Sequence, residues 1–293
     1  MIHINKPFKD YAAEVAVNQS LLKIFRECPA KYIHALQNPR EDSPAFAKGR
    51  LWHTAVLEPT KLDTEYQVLC EQTKDRLLYE ARAMGSKATE FSKRLKTYQL
   101  WRDSLPNSDV ITEEELSAAT TARSMLYKGK FKEAIDSGIA EASFFNEYEA
   151  EAGTLKVKGR FDLWCEETGE IWDLKTTRDA SPHGFGRLAW SYGYVFQAGY
   201  YRLLCELEGK AFKGFNIVAI ETEPPYLFGC YSVESQASRW GAEMARAALE
   251  RLAYCTENND WPGYGSGYLE LPAYAMKEIS EDLETLPDLP DPF

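Results

Sequence analysis

Residues 159–175 read GRFDLWCEETGEIWDLK, and they indicate the fold class because they join two strand-like segments through a short turn. Apolar and polar residues alternate from Leu155 to Leu163, which is the periodicity of a half-buried strand. A second strand, from Glu170 to Thr176, follows the dipeptide Thr168-Gly169, which suits a two-residue hairpin loop. The sequence therefore predicts an antiparallel hairpin.

This hairpin brings Asp162, Asp173 and Lys175 to one face. A two-residue loop sets Asp162 opposite Lys175, whereas a shift of two residues sets it opposite Asp173 without changing the face. Carboxylates are ligands that Mg²⁺ and Mn²⁺ prefer, and a bound ion can neutralise a phosphate and acidify a water. Lys175 would orient or deprotonate that water. The set suits phosphodiester hydrolysis, although a surface hairpin with solvated Asp and Lys side chains would have the same pattern.

Two helices carry further candidates. Residues 47–58, AKGRLWHTAVLE, predict a helix that ends at Pro59 and places Gly49 and His53 on one face. A helix from about Gly193 to Leu207 places Gln197 and Tyr201 one turn apart. A single histidine is more often a packing residue than a ligand, and Tyr201 could equally belong to an aromatic core stripe. Neither helix decides the function by itself.

Five motifs follow one another in the order Gly49-x-x-x-His53, Glu141, Gly159-Arg160-Phe161-Asp162, Asp173-Leu174-Lys175 and Gln197-x-x-x-Tyr201. Together they resemble the RecB-like branch of the PD-(D/E)xK nuclease superfamily, and within it the RecE-type exonucleases of phages and prophages, which are like exodeoxyribonuclease VIII. The opening NQSLLKIFRECPAKYIHAL adds to the resemblance, which extends from about residue 18 to residue 257. Each motif alone is weak, whereas the ordered set is specific. The expected fold is α/β, with a restriction-endonuclease-like core in which helices flank a central mixed β-sheet.

The resemblance implies a role for each matched residue. The metal ligands would be His53, Asp162, Asp173 and the backbone carbonyl of Leu174, with Lys175 as the catalytic lysine. Glu141 would lie in or next to the metal shell, although Glu147, Glu149 and Glu151 compete for that assignment. Gln197 and Tyr201 would flank the site as catalytic residues. Arg160 and Arg50 would bind DNA and its 5′-phosphate, because a guanidinium suits phosphate oxygens; for Arg50 an ordinary surface salt bridge is the alternative.

The activity that the resemblance implies is a metal-dependent 5′-to-3′ exodeoxyribonuclease. It would degrade one strand of linear double-stranded DNA and leave 3′ single-stranded overhangs for annealing-type homologous recombination. Mg²⁺ would be the cofactor, and Mn²⁺ could substitute for it. The implied partners are double-stranded DNA ends, a RecT-like single-strand annealing protein, and copies of the chain in a homo-tetrameric ring. The alternatives are an endonuclease or single-strand trimming nuclease in defence or repair, and a catalytically inactive module that binds DNA or a recombination partner.

Length and composition lead to expectations about domain organisation, location, surface charge and cysteine-based metal sites. The 293 residues predict a single nuclease domain over 1–276, with a helical insertion at about 60–135 and an acidic, proline-containing tail over 277–293. The sequence has no membrane or signal segment, so a cytoplasmic location is expected. The net charge of −11 argues against an extensive basic surface, although the tail accounts for −5 of it. Six dispersed cysteines without a CxxC pair predict neither a zinc site nor an iron–sulfur cluster.

Local signals predict several element boundaries. Ser20 is expected to cap the first helix. Thr112 and Glu115 form a capping box that should open a helix through about Tyr127. Later in the chain, the pattern predicts strands at 214–222 and 227–233 and a helix at 234–255.

Overall fold

A computed structural model of the chain describes residues 1–39, 43–105, 108–267 and 270–285. The strands are β1 (Ile2–His3), β2 (Tyr66–Leu69), β3 (Asp109–Thr112), β4 (Ile139–Ala150), β5 (Gly153–Cys165), β6 (Glu170–Thr177), β7 (Gly214–Glu221) and β8 (Phe228–Val233). The helices are α1 (Phe8–Ala13), α2 (Gln19–Glu27), α3 (Pro29–Gln37), α4 (Pro44–Leu57), α5 (Leu62–Glu65), α6 (Glu71–Ala83), α7 (Lys96–Asp103), α8 (Glu113–Leu126), α9 (Gly129–Ser137), α10 (Pro182–Ser191), α11 (Tyr194–Leu207), α12 (Ser235–Asn258) and α13 (Ala273–Thr285).

A central sheet organises the chain. Within the described residues it has six strands in the order β1-β4-β5-β6-β7-β8. β6 and β7 run parallel, and the other neighbouring strands run antiparallel, so the sheet is mixed, as predicted. The parallel pair needs a crossover, and α10 and α11 supply it.

Helices cover both faces of the sheet, and each face has its own apolar core. On one side α2, α3, α11 and α12 pack over β4 and β5, and the large buried side chains include Phe25, Phe144, Phe161, Phe196 and Phe215. On the other side α4, α8 and α9 bury a second cluster that includes Trp52, Leu126, Phe131, Trp172 and Val218. This layered arrangement is the one that an α/β fold requires.

The predicted hairpin forms, and the structure selects one of its two registers. Leu163 pairs with Trp172 and Cys165 with Glu170, so residues 166–169 form a four-residue turn. The two-residue loop is therefore wrong, and so is the pairing of Asp162 with Lys175. The alternative register sets Asp162 opposite Asp173.

Helix caps follow the expected chemistry with one exception. Thr112 and Glu115 form the predicted capping box at the start of α8. Ser20 does not cap α2; Oδ1 of Asn18 accepts the amide of Leu21 at 2.9 Å and begins the helix two residues earlier. α2 is also not the first helix, because α1 precedes it.

Two glycines allow α11 and α12 to cross at close range. A Cβ atom at Gly199 would lie 2.0 Å from the backbone carbon of Gly241, and one at Gly241 would lie 2.3 Å from the carbonyl oxygen of Val195. Neither position can accept a larger residue without separating the helices. The contact matters because α11 carries Gln197 toward the sheet.

The segment predicted as a helical insertion, residues 60–135, contains helices and also a small parallel sheet formed by β2 and β3. The predicted tail begins inside α13, and residues 286–293 lie outside the described residues. Among the helices that the structure describes, none is long and apolar enough to span a membrane.

Candidate metal and catalytic site

The site begins where the side-chain alternation of β4 and β5 breaks. Glu141 has a φ of 55°, a left-handed conformation that costs a non-glycine residue about 1–2 kcal/mol. Across the break, Phe161 packs in one apolar cluster and Leu163 in the other, so the predicted common face of Leu155 to Leu163 is wrong at Leu163. The break turns Glu141 and Asp162 away from regular strand positions, toward α4.

β5 and β6 separate at the same point, and Asp162 fills the opening. The hydrogen-bonded ladder between the two strands ends at Leu163 and Trp172. Beyond it, Oδ2 of Asp162 accepts the backbone amide of Leu174 at 2.8 Å. The carboxylate is thus fixed by the main chain of the opposite strand. The Leu174 side chain packs in the apolar cluster on the α4 side of the sheet, and the role of its carbonyl as a metal ligand stays a prediction.

Helix α4 brings His53 to the carboxylates. Its Nδ1 lies 3.5 Å from Oδ2 of Asp162. Ligand atoms of His53, Glu141 and Asp162 all lie within 4.8 Å of one another, which is close enough for one ion to contact all three. Of the four competing glutamates, only Glu141 belongs to this cluster among the described residues, while Glu147, Glu149 and Glu151 are exposed.

Asp173 forms the adjoining half of the site. It is 1% exposed, and its Oδ1 accepts the side-chain amide of Gln197 at 2.7 Å. Its Oδ2 lies 2.5 Å from Nζ of Lys175, although the contact lacks hydrogen-bond geometry and leaves this buried oxygen without an accepted hydrogen bond among the described residues. A positive ion bound beside Asp162 would provide an interaction partner for Oδ2 of Asp173. The donor set, one imidazole and carboxylate oxygens, therefore fits a divalent cation such as Mg²⁺ or Mn²⁺.

The electrostatics of the two aspartates and the lysine are coupled. Burial and the charge of Asp173 raise the pKa of Asp162 to about 7. Burial alone would lower the pKa of Lys175, but the charges of Asp173 and Asp162 outweigh it and raise this pKa. Lys175 therefore carries a proton at neutral pH. Of the two roles expected for it, orienting a water or phosphate fits this charge better than deprotonating a water.

Arg160 is placed differently from the expected DNA contact. Its guanidinium contacts Glu141 and donates to the carbonyl of Lys6 at 2.7 Å and to Oγ of Ser143 at 3.0 Å. The side chain is only 9% exposed. Arg160 holds Glu141 in position through these contacts, and its predicted DNA contact stays a prediction. The sequence pattern of alternating charged residues could not reveal these partners.

Tyr201 and Arg50 also have partners within the protein. The hydroxyl of Tyr201 donates to the backbone carbonyl of Arg160 at 2.8 Å, and its ring lies 4.5 Å from that of Phe161 inside the core. This supports the core alternative and gives Tyr201 a role in positioning β5. Arg50 contacts Asp109 at 3.1 Å, the salt-bridge alternative, and its predicted 5′-phosphate contact stays a prediction.

Tyr194 is a site residue that the sequence analysis missed. Nζ of Lys175 lies 5.3 Å from the centre of its ring, so the ring contributes a cation–π contact to the lysine. Tyr194 precedes Gln197 by three residues at the start of α11. Helical periodicity could therefore have placed it on the same face.

Comparisons with known proteins agree with this architecture. A sequence profile of the family described as a PDDEXK-like domain of unknown function (DUF3799) matches residues 18–271. The crystal structure of a candidate exonuclease from Eubacterium rectale is similar, with a TM-score of 0.56 and 13% identity over 94% of this chain and 98% of that chain. At this identity the likeness shows the fold alone, and it confirms the predicted fold class.

A second solved structure, SSO0001, matches at 13% identity over 74% of this chain and 98% of that chain. Its TM-score of 0.30 is too low to support an argument. Comparison with curated proteins finds no match.

Proposed function

The chain belongs to the PDDEXK-like family DUF3799, and from this premise we propose that it is a divalent-metal-dependent nuclease that cleaves DNA. The observation that carries the proposal is the convergence of His53, Glu141 and Asp162 within 4.8 Å, beside the buried Asp173 and the partly buried Lys175. A cluster of hard ligands with an adjacent protonated lysine matches the needs of phosphodiester hydrolysis. A catalytically inactive binding module would not require it.

Each residue has a task that follows from its contacts. His53, Glu141 and Asp162 would hold the cation, which when bound would neutralise phosphate charge and lower the pKa of a water. Gln197 fixes one oxygen of Asp173, so the other oxygen lies beside Lys175 and would be available to the cation. The ammonium group of Lys175 would donate to the phosphate or the attacking water and stabilise the charge that develops there.

Within this activity, the proposed reaction is 5′-to-3′ digestion of one strand of linear duplex DNA, which leaves a 3′ single-stranded overhang. Support comes from the ordered RecE-type motifs. The proposed cofactor is Mg²⁺, with Mn²⁺ as a substitute. A tetrameric ring and a RecT-like annealing partner are proposals that rest on the same resemblance, and sedimentation of the purified chain tests the ring directly.

The test compares one plasmid in its linear form and its covalently closed circular form, each with Mg²⁺ or with EDTA. We expect Mg²⁺-dependent release of nucleotides from the linear form and an intact circle, because an exonuclease needs an end. Labels placed separately at each 5′ and 3′ end of a linear duplex report the direction. Cleavage of the circle would replace the exonuclease with an endonuclease, and preferential digestion of single strands would indicate a trimming nuclease. Failure to cleave either DNA with any divalent ion would overturn the proposed function.

A further inference from the structure

Two adjoining depressions form a groove where α2 runs beside α12 and the end of α10. Their volumes are about 300 Å³ and about 260 Å³, and both are lined by Arg26 and Met244. Lys23 from α2 and Trp190 from α10 line the larger depression, and Arg251 from α12 lines the smaller one. We refer to this surface, defined by these five residues, as the α2–α12 groove.

The cations of the groove are held by uncharged partners. The ammonium group of Lys23 donates to the carbonyl of Tyr192 at 2.8 Å. The guanidinium of Arg26 donates to the sulfur of Met244 at 3.5 Å and lies 4.7 Å from the ring centre of Phe196. These contacts orient the side chains without neutralising their charge. The groove thus presents positive charge that can pair with phosphate.

This arrangement differs from that of a neighbouring cation on α12. Arg251 lies 5.8 Å from the ring of a buried phenylalanine of α2, whereas Arg246, on the same helix, contacts the carboxylate of Glu206. The groove also contains Glu27, but its carboxylate lies 3.8 Å from the ammonium of Lys31. The chain has a net charge of −11, so a local excess of positive charge makes this surface a favourable place for an anionic ligand to bind.

Exposed aromatic rings border the same surface. Trp190 is 74% exposed and Tyr192 is 55% exposed. Trp240, which is 62% exposed, lies one helical turn before Met244 on α12. Flat exposed rings interleaved with cations suit unstacked bases on a phosphate backbone, because each base can stack on a ring. A duplex hides the faces of its bases and cannot use the rings in this way.

A series of contacts links the groove to the catalytic site. The ammonium group of Lys23 donates a hydrogen bond to the backbone carbonyl of Tyr192, and the ring centre of Tyr192 lies 6.0 Å from that of Tyr194. The ring of Tyr194 in turn lies 5.3 Å from Nζ of Lys175. One aromatic pair therefore connects the catalytic lysine to the first cation of the groove.

We infer that the α2–α12 groove is a binding track for single-stranded DNA that leads to or from the catalytic site. The inference rests on the proposed function for the identity of the nucleic acid. It assigns Arg26 and Lys23 to phosphates and Trp190 to a base. A strand held here would stay beside the site between successive cleavage events.

The test measures binding of a fluorescein-labelled oligothymidine of about 16 nucleotides to the full chain in EDTA, by fluorescence anisotropy. We expect the double variant Arg26→Ala/Trp190→Ala to bind at least about tenfold more weakly than the wild type, because it loses one phosphate contact and one stacking platform. The variant Arg26→Lys/Trp190→Phe keeps a charge and a ring, and we expect it to recover most of the affinity.

Arg76→Ala/Tyr79→Ala is the matched control, since it removes an arginine and an exposed aromatic residue from α6. It should bind as the wild type does. Equal affinity of the groove variant and the wild type would overturn the inference, as would a wild type that does not bind the oligothymidine. A groove variant that changes sedimentation but not DNA binding would also overturn it, because the groove would then be a contact between copies of the chain.

Binding in EDTA separates this inference from the proposed function. Asp173→Asn should bind the oligothymidine like the wild type while losing Mg²⁺-dependent digestion. If the wild type digests DNA but the groove variants bind normally, the track is refuted and the nuclease stands. If binding depends on the groove but no DNA is cleaved, the track stands and the nuclease is refuted.

Discussion

Replacing Asp162 by asparagine should stabilise the metal-free protein at alkaline pH. Burial and the neighbouring Asp173 raise the pKa of Asp162 from the ordinary 3.8 to about 7 in the folded state. An acid with a raised folded pKa favours folding while it is protonated, and this contribution is lost as the pH rises from the unfolded pKa through the folded one. The ionised carboxylate therefore destabilises the empty site above about pH 7, and asparagine removes that charge.

The size of the effect follows from the two pKa values. The interval from 3.8 to about 7 corresponds to about 4 kcal/mol, since one pKa unit is worth about 1.4 kcal/mol. The side chain of Asp162 keeps 16% of its surface exposed, so water contact and local structural relaxation should reduce this energy. We therefore expect Asp162→Asn to raise the free energy of unfolding by about 2–4 kcal/mol at high pH. An asparagine oxygen can still accept the amide of Leu174, so the substitution keeps the contact that closes the strand opening.

The assay is urea denaturation in EDTA between about pH 4 and about pH 8, followed by tryptophan fluorescence. The difference in the free energy of unfolding between Asp162→Asn and the wild type should be small at the acid end, grow with pH, and level off above about pH 7. Asp136→Asn is the control. Lys132 and Tyr127 lower the pKa of Asp136, so its loss should destabilise the protein at high pH. A difference for Asp162→Asn that does not change with pH would refute the reasoning.

Three further predictions concern other parts of the chain. Gln197→Leu should reduce the free energy of unfolding by about 1–3 kcal/mol, because the buried Oδ1 of Asp173 loses its donor; unchanged urea stability would contradict this. Arg160→Met should weaken Mn²⁺ binding about tenfold or more in isothermal titration calorimetry, because Glu141 loses the guanidinium that holds it; an unchanged Kd would count against that role. Deletion of residues 278–293 should leave digestion of linear duplex intact, and loss of activity in a soluble, folded truncated protein would show otherwise.

Sequence periodicity predicted the framework of the site because half-buried strands and amphipathic helices must alternate their side chains at fixed intervals. It located β5, β6 and α11 to within a few residues. It could not single out Glu141, whose left-handed backbone breaks the alternation, and four glutamates remained equivalent. The same break misplaced Leu163, because a regular strand would keep it on the face of Phe161.

The roles of individual polar residues depended on partners that are distant in sequence. Arg160 reads as one of several basic residues in β5, yet Glu141 and Lys6 meet it only after β4, β5 and the N-terminal segment have come together. Gln197 was expected near the site, but its bond to Asp173 requires the crossover that brings α11 under β6. Composition likewise gives the net charge but not the distribution of charge over the surface. The cations of the groove could therefore be identified only from their contacts in the structure.

Digestion of an end-labelled linear duplex by the wild type, Lys175→Ala and Asp173→Ala, with Mg²⁺ and with EDTA, tests the catalytic site itself. We expect Mg²⁺-dependent release of nucleotides by the wild type and a loss of about a hundredfold or more in both variants, because a positioned charge at the reacting phosphate typically contributes that much. Undiminished digestion by either folded variant would contradict the assignment of the catalytic site.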